Sequence, residues 1–250
     1  MCKENSTKAG ISVGKVISLN EVKSGIFHLI LKTELVHKNQ SVPQSAQFYM
    51  LRSSISKVLL ARPISVYSCK TQDNFVFVEF LILLKGQGTK ELCDLKIDDS
   101  VEMTGPLGNT FPRPQEDLQN ADEVKIAIIG GGIGVAPVAS FSTNLKPHTY
   151  DFYACFKSFS YGLENVKAKN LVITTDDGTE GIKGMLPSVF TADDIKQKNY
   201  SVVYACGPEP MLKYVQKVCL EAGITCYLSM EQRMACGLGA CLGCTITTTE

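Results

Sequence analysis

The hydrophobic pattern changes character once along the chain. Up to about residue 112, short runs rich in Val, Ile, Leu and Phe lie at 11–17, 26–32, 47–51 and 76–84, each bounded by Gly, Pro, Asn or Ser clusters. Short strands at such intervals predict an antiparallel barrel or sandwich rather than βαβ units. Val101-Glu102-Met103-Thr104 alternates, and Gly105-Pro106 then reads as a turn closing that strand. Pro112-Arg113-Pro114 and the polar stretch 115–123 read as a linker. Beyond it, runs at 124–129, 150–156, 171–175 and 202–206 are continuously apolar, as expected of strands buried on both faces, and a shorter run follows at 225–229. Helices are predicted at 136–145 and 208–222. The second opens on Pro208, repeats Met211, Val215 and Val218 on one face, and ends at Gly223. Strands alternating with helices imply a parallel sheet. The expected fold is therefore a β-barrel (1–118) followed by an α/β domain (119–229). The segment 230–250 shows neither strand nor helix period.

Composition narrows the function classes. Among 250 residues, 25 Lys+Arg balance 25 Asp+Glu, so no bulk charge draws the chain to nucleic acid or an anionic membrane. A content of 44% hydrophobic and 20% charged residues fits a globular protein and argues against disorder. The longest apolar stretch, 75–84, is broken by Glu79 and is too short to span a bilayer, so no membrane insertion is expected. The start Met1-Cys2-Lys3-Glu4-Asn5 lacks the apolar core of a signal peptide. The ten cysteines are accordingly expected to be reduced and the protein cytoplasmic.

Three of those cysteines, Cys236, Cys241 and Cys244, follow a C-x4-C-x2-C spacing with Gly237, Gly239 and Gly243 between them. This is three-quarters of the plant-type ferredoxin pattern for a [2Fe–2S] cluster. Glycines there permit the backbone conformations a cluster-wrapping loop needs and bring N–H groups near sulfur. Buried free cysteines are the bland reading and zinc the chemical rival, but zinc sites usually pair two C-x2-C units and a second is absent. No cysteine follows Cys244, and Cys219 and Cys226 fall on the predicted last helix and strand. The simplest account is a sequence truncated before a fourth ligand; a ligand that is not cysteine, or one supplied by a partner, is the alternative.

A second constellation, Gly130-Gly131-Gly132-Ile133-Gly134-Val135-Ala136-Pro137, lies where a buried strand hands over to a helix. Such a corner lets backbone approach a pyrophosphate at a helix N-terminus, although the third glycine of G-x-G-x-x-G is missing. Cys206-Gly207-Pro208 forms a similar corner. In a parallel sheet both lie at the carboxyl ends of strands, where nucleotides bind. In the barrel, Arg62-Pro63-Ile64-Ser65 and Gly86-Gln87-Gly88-Thr89 could reach phosphate, or could be no more than an edge strand blunted by proline. Asp176-Asp177-Gly178 reads as a turn with nucleotide contact as its alternative. His28, His37 and His148 are scattered, so no catalytic acid or base is expected.

Taken in order, these motifs resemble the ferredoxin–NADP reductase superfamily, and the cysteine cluster narrows the resemblance to the electron-transfer subunits of type B dihydroorotate dehydrogenases. The resemblance covers essentially the whole chain. It implies that Arg62, Pro63, Ile64 and Ser65 contact FAD, with the backbone of Leu81, Ile82 and Leu83 and the turn at Gly88 and Thr89. It implies that Gly130, Gly132, Gly134, Pro137, Cys206, Gly207 and Pro208 form the NAD face, and that Cys236, Cys241 and Cys244 are three of four cluster ligands. It further implies a partner, an FMN-containing catalytic subunit, with two copies of each subunit. Electrons from dihydroorotate would pass through [2Fe–2S] and FAD to NAD+ during pyrimidine biosynthesis. The small subunit of another flavin and iron–sulfur reductase, acting on ferredoxin or sulfide, is the alternative; a zinc-binding module and an inactive truncated copy are further ones. One departure is Ala46-Gln47-Phe48 where the superfamily usually has Gly-Gln-Phe, with little consequence expected.

Overall fold

The computed structural model describes residues 10–34, 42–114 and 124–247. They form two compact units. One runs to Asn109 and takes in the chain again from Gln232; the other is Thr110–Glu231. The domain boundary expected near residue 118 lies outside the described residues.

The first unit is a closed barrel of six strands in the order β1-β2-β5-β4-β3-β6. The strands are β1 (Gly10–Lys23), β2 (Ile26–Glu34), β3 (Phe48–Ser53), β4 (Arg62–Gln72), β5 (Phe75–Leu83) and β6 (Ser100–Leu107). Closure leaves no sheet edge to protect. Alternation explains the core: Val76, Val78, Phe80 and Ile82 of β5 point inward and meet Leu29, Leu31, Leu51, Val101 and Met103. Each such side chain stabilises the fold by roughly 1.5–3 kcal/mol. A short helix, α1 (Gln87–Cys93), follows β5 and sends Leu92 into the same core.

Two expectations change here. Gly105-Pro106 does not close a strand; β6 runs through it to Leu107, with Gly105 paired to Gly10 and Leu107 to Phe48. A register shift between Phe48 and Met50 accommodates the interruption, and the Tyr49 ring lies where a Gly105 side chain would be. Ala46 is not inconsequential either. Its φ of 68° is left-handed, a conformation that costs a residue with a Cβ about 1–2 kcal/mol.

The second unit is a parallel sheet in the order β10-β9-β8-β7-β11-β12. Its strands are β7 (Ile126–Gly131), β8 (Tyr150–Phe156), β9 (Asn170–Thr175), β10 (Ile182–Lys183), β11 (Val202–Cys206) and β12 (Thr225–Ser229). β7 is central and wholly buried, which accounts for its unbroken apolar run. Among the described residues three α-helices complete it: α2 (Val135–Ser142), α3 (Ala192–Lys198) and α4 (Glu209–Ala222). The buried face of α4 is Leu212, Val215, Val218 and Cys219, whereas Met211 is half-buried. Gly223 ends α4 at φ 72°, as its sequence position predicts. α3 has no counterpart among the predicted helices. It is seven residues long and buries only Ile195, too little for a visible period. Its start is fixed by a capping box, Thr191 Oγ1 accepting from Asp194 N–H while Thr191 N–H donates to Asp194 Oδ2.

Candidate cofactor sites

In the second unit, register sets the geometry. Cys206 pairs with Gly130, so β7 and β11 end side by side and each hands over to a helix. Glycine is required because these two corners pack backbone on backbone. A Cβ on Gly134 would lie 2.6 Å from the Cys206 carbonyl oxygen and 2.7 Å from Gly207 Cα. One on Gly207 would lie 3.0 Å from Gly131 Cα, and one on Gly131 would lie 2.5 Å from Met211 Sδ. Gly132 differs: its φ is 53°, and only the Tyr161 hydroxyl, at 3.9 Å, stands near its open side. Pro137 sits in the first turn of α2, where no intrahelical N–H bond is lost. Pro208 caps α4. The N-terminal ends of α2 and α4 therefore share one sheet edge, where their helix dipoles suit an anion. Burial pushes the Cys206 thiol up to about 12, against a hydrogen bond with Ser229.

The loops after β8 and β9 are tied together at the same edge. Ser158 Oγ donates to Asp177 at 2.6 Å, and Thr179 N–H donates to it at 2.9 Å, holding that carboxyl down at about 2. Glu180 accepts from both N–H and Oγ of Ser160 at 2.8 Å.

In the first unit, Arg62 opens β4 opposite Leu51, Ile64 packs on the barrel core, and Ser65 faces Phe48. Gly88, in the first turn of α1, is buried beneath Arg62: an added Cβ would overlap Nε and lie 2.8 Å from Nη2. The guanidinium thus lies against the backbone of Gly88, and only glycine allows it. Arg62 and Gly88, distant in sequence, are brought together. Thr89 plays a different part. Its hydroxyl accepts from Lys85 N–H (2.9 Å) and Gly86 N–H (3.0 Å) and donates to Gly86 O (2.9 Å), so it shapes the turn. Leu81 and Ile82 are buried in β5, and Leu83 is exposed beside Ile26. Glu91, absent from the sequence reading, also belongs to this region: it accepts from Ser56 Oγ, 35 residues away, and from Lys57 N–H, 34 away, a link no local pattern carries.

The cysteine segment lies in the first unit. A Cβ on Gly237 would stand 2.7 Å from Met50 Cγ and 3.0 Å from Leu107 Cδ1, so the loop rests on β3 and β6. Gly237 and Gly239 have φ of 70° and 77°, and Leu242 has 56°. These turns place the Leu238 N–H 3.4 Å from Cys236 Sγ, and the neighbouring backbone of Cys241, with that of Leu238, holds this thiol down at about 6. Cys236 and Cys241 are neighbours within hydrogen-bonding reach. Among the described residues, no three His, Cys, Asp or Glu side chains close on one metal-sized point, so Cys244 is not brought onto the other two. The donor set still fits an iron–sulfur cluster: soft thiolates, backbone N–H groups turned to sulfur, and glycines where the chain must curl. Cys219 and Cys226 in the second unit hydrogen-bond to each other, which lowers the Cys226 thiol to about 7 and raises that of Cys219.

Comparison with known proteins agrees with this division. A family model described as the iron-sulfur cluster binding domain of dihydroorotate dehydrogenase B matches residues 231–250. The dihydroorotate dehydrogenase B (NAD(+)) electron transfer subunit of Clostridium acetobutylicum is 39% identical over 245 residues, 96% of this chain and 90% of that protein. The subunit of the same name from Caldanaerobacter subterraneus subsp. tengcongensis is 34% identical over 209 residues, 83% of this chain and 78% of that protein. Among solved structures, one of an NADH-dependent reduced ferredoxin–NADP oxidoreductase superposes with a TM-score of 0.75 at 21% identity, covering 92% of this chain and 80% of that one, a likeness of fold. Closed barrel, parallel sheet and C-terminal cysteine loop thus occur in a sequence with extensive identity to named relatives, and the chain belongs to the family of dihydroorotate dehydrogenase B electron transfer subunits, electron-carrying components of an oxidoreductase.

Proposed function

We propose that this subunit carries electrons from an FMN-containing dihydroorotate dehydrogenase catalytic subunit to NAD+ in pyrimidine biosynthesis, as a cytoplasmic complex with two copies of each subunit. FAD would be held by Arg62, Pro63, Ile64, Ser65, the backbone of Leu81, Ile82 and Leu83, and the Gly88-Thr89 turn. NAD would lie on Gly130, Gly132, Gly134, Pro137, Cys206, Gly207 and Pro208, and a [2Fe–2S] cluster on Cys236, Cys241 and Cys244. When bound, the cluster supplies one-electron transfer and the flavin converts between single electrons and hydride.

The chain's own residues bind and orient. Arg62 places a fixed positive fork beside the first turn of α1, where an FAD phosphate can meet both. The paired corners offer N–H groups to the NAD pyrophosphate. Asp176 and Asp177 put negative charge after β9, which disfavours the extra phosphate of NADP. No side chain need exchange a proton.

The observation that carries the reading is the C-x4-C-x2-C loop, curled by left-handed Gly237 and Gly239 and with the Leu238 N–H on Cys236 Sγ at 3.4 Å. It predicts that the full chain, reconstituted with FAD, iron and sulfide, becomes coloured, with flavin and cluster absorption together and flavin bleaching on addition of NADH. A chain that stays colourless under those conditions contradicts the proposal.

A further inference from the structure

We propose that Glu91 is a positioning residue for FAD: by tying the β3–β4 connection to α1, it holds the Arg62 guanidinium against the Gly88 backbone. The inference rests on the FAD site proposed above. Arg62 follows directly on residues 54–61, which carry three exposed apolar side chains, Ile55, Leu59 and Leu60. Burial therefore does little to anchor this connection. Hydrogen bonds do so at two places. At its start, Ser54 N–H and Oγ both donate to Ser100 O on β6, at 3.1 and 2.9 Å. In its middle, Ser56 Oγ donates to Glu91 Oε2 and Lys57 N–H donates to Glu91 Oε1 at 3.3 Å. Ser56 Oγ also accepts from Val58 N–H at 3.1 Å, so the turn is organised around the hydroxyl that Glu91 captures. Gln87 Nε2 donates to Glu91 at 3.2 Å and orients the carboxylate along the helix. α1 itself is fixed by Leu92 in the barrel core. The chain leaving this tie reaches Arg62 within five residues, and Arg62 packs back on α1 at Gly88. Glu91 thereby closes a loop of contacts from α1 through the connection to Arg62 and back. Loss of a charge-assisted bond at such a point lets a phosphate-binding fork drift while the barrel stands.

The test is FAD titration of the full chain, read by quenching of flavin fluorescence. Glu91→Ala should raise the FAD Kd about tenfold, Ser56→Ala should do nearly the same, and the double variant should be no weaker than Glu91→Ala alone, since the two act as one unit. Glu91→Gln, which keeps an acceptor oxygen, should recover part of the affinity. The visible circular dichroism of the bound flavin should change in Glu91→Ala while the thermal midpoint of the flavin-free chain stays put. Arg62→Ala should bind FAD most weakly. Tight FAD binding with unaltered dichroism in Glu91→Ala, beside loss in Arg62→Ala, overturns the role of Glu91. If Glu91→Ala fails to fold, parental affinity in both Glu91→Gln and Ser56→Ala overturns it equally. Parental affinity in Arg62→Ala overturns the FAD site itself.

Discussion

Replacing Cys241 with Ser should abolish the cluster and leave the flavin in place. Cys241 has two ties to the site: its thiol lies beside Cys236, and its backbone helps hold the Cys236 thiol well below its usual range. A serine keeps the N–H and loses the soft ligand, so the loop keeps its fold but cannot hold iron. The segment rests on Met50 and Leu107, neither of which is among the residues assigned to FAD or NAD. The variant should therefore retain FAD and oxidise NADH with ferricyanide within about twofold of the parent. Dihydroorotate-dependent NADH formation with the catalytic subunit should fall on the order of 100-fold or more. Iron content and the two activities, measured on one preparation, check the split. Equal loss of both activities would place the cysteine in general folding.

Gly134→Ala should strike the NAD side alone. Gly134 has φ −63° and ψ −9°, ordinary helical values, so alanine carries no backbone strain there. The obstacle is steric: the new methyl would lie 2.6 Å from the Cys206 carbonyl oxygen, and a main-chain atom cannot rotate away. Overpacking of this kind costs about 1–3 kcal/mol and is relieved by parting the two corners. The KM for NADH should rise about tenfold or more, with FAD content unchanged. Gly132→Ala is the contrast. It meets open space, and its penalty comes from a φ of 53°, about 1–2 kcal/mol of local strain. An unaltered KM in Gly134→Ala would mean that the corners do not hold the nucleotide.

The sequence made some features plain and concealed others for physical reasons. Barrel strands such as β5 alternate, and β7 is buried on both faces, so both carry strong periodic signals. The predicted face of α4, Met211, Val215 and Val218, does meet the core, and Leu212 and Cys219 join it. Met211 packs on the same core but stays half-buried, because it also reaches the glycine corner at Gly131 and Gly207. α3 escaped notice because a capping box and one isoleucine define it. β6 runs through Gly105-Pro106, where turn chemistry and strand pairing compete and pairing prevails. Spacing alone gave the cysteine loop and the two corners. It could not give the overlap of Arg62 with Gly88 or the tie of Glu91 to Ser56, because those side chains meet only after the barrel has closed.

The central claim is that this chain links a dihydroorotate-oxidising partner to NAD+. It is tested most directly by mixing the reconstituted full chain with the FMN-containing catalytic subunit and following NADH formation from dihydroorotate and NAD+. The account predicts NADH production that requires both proteins and is lost in Cys241→Ser. NADH formation by the catalytic subunit alone at the same rate, or none from a mixture with full flavin and iron content, would contradict it.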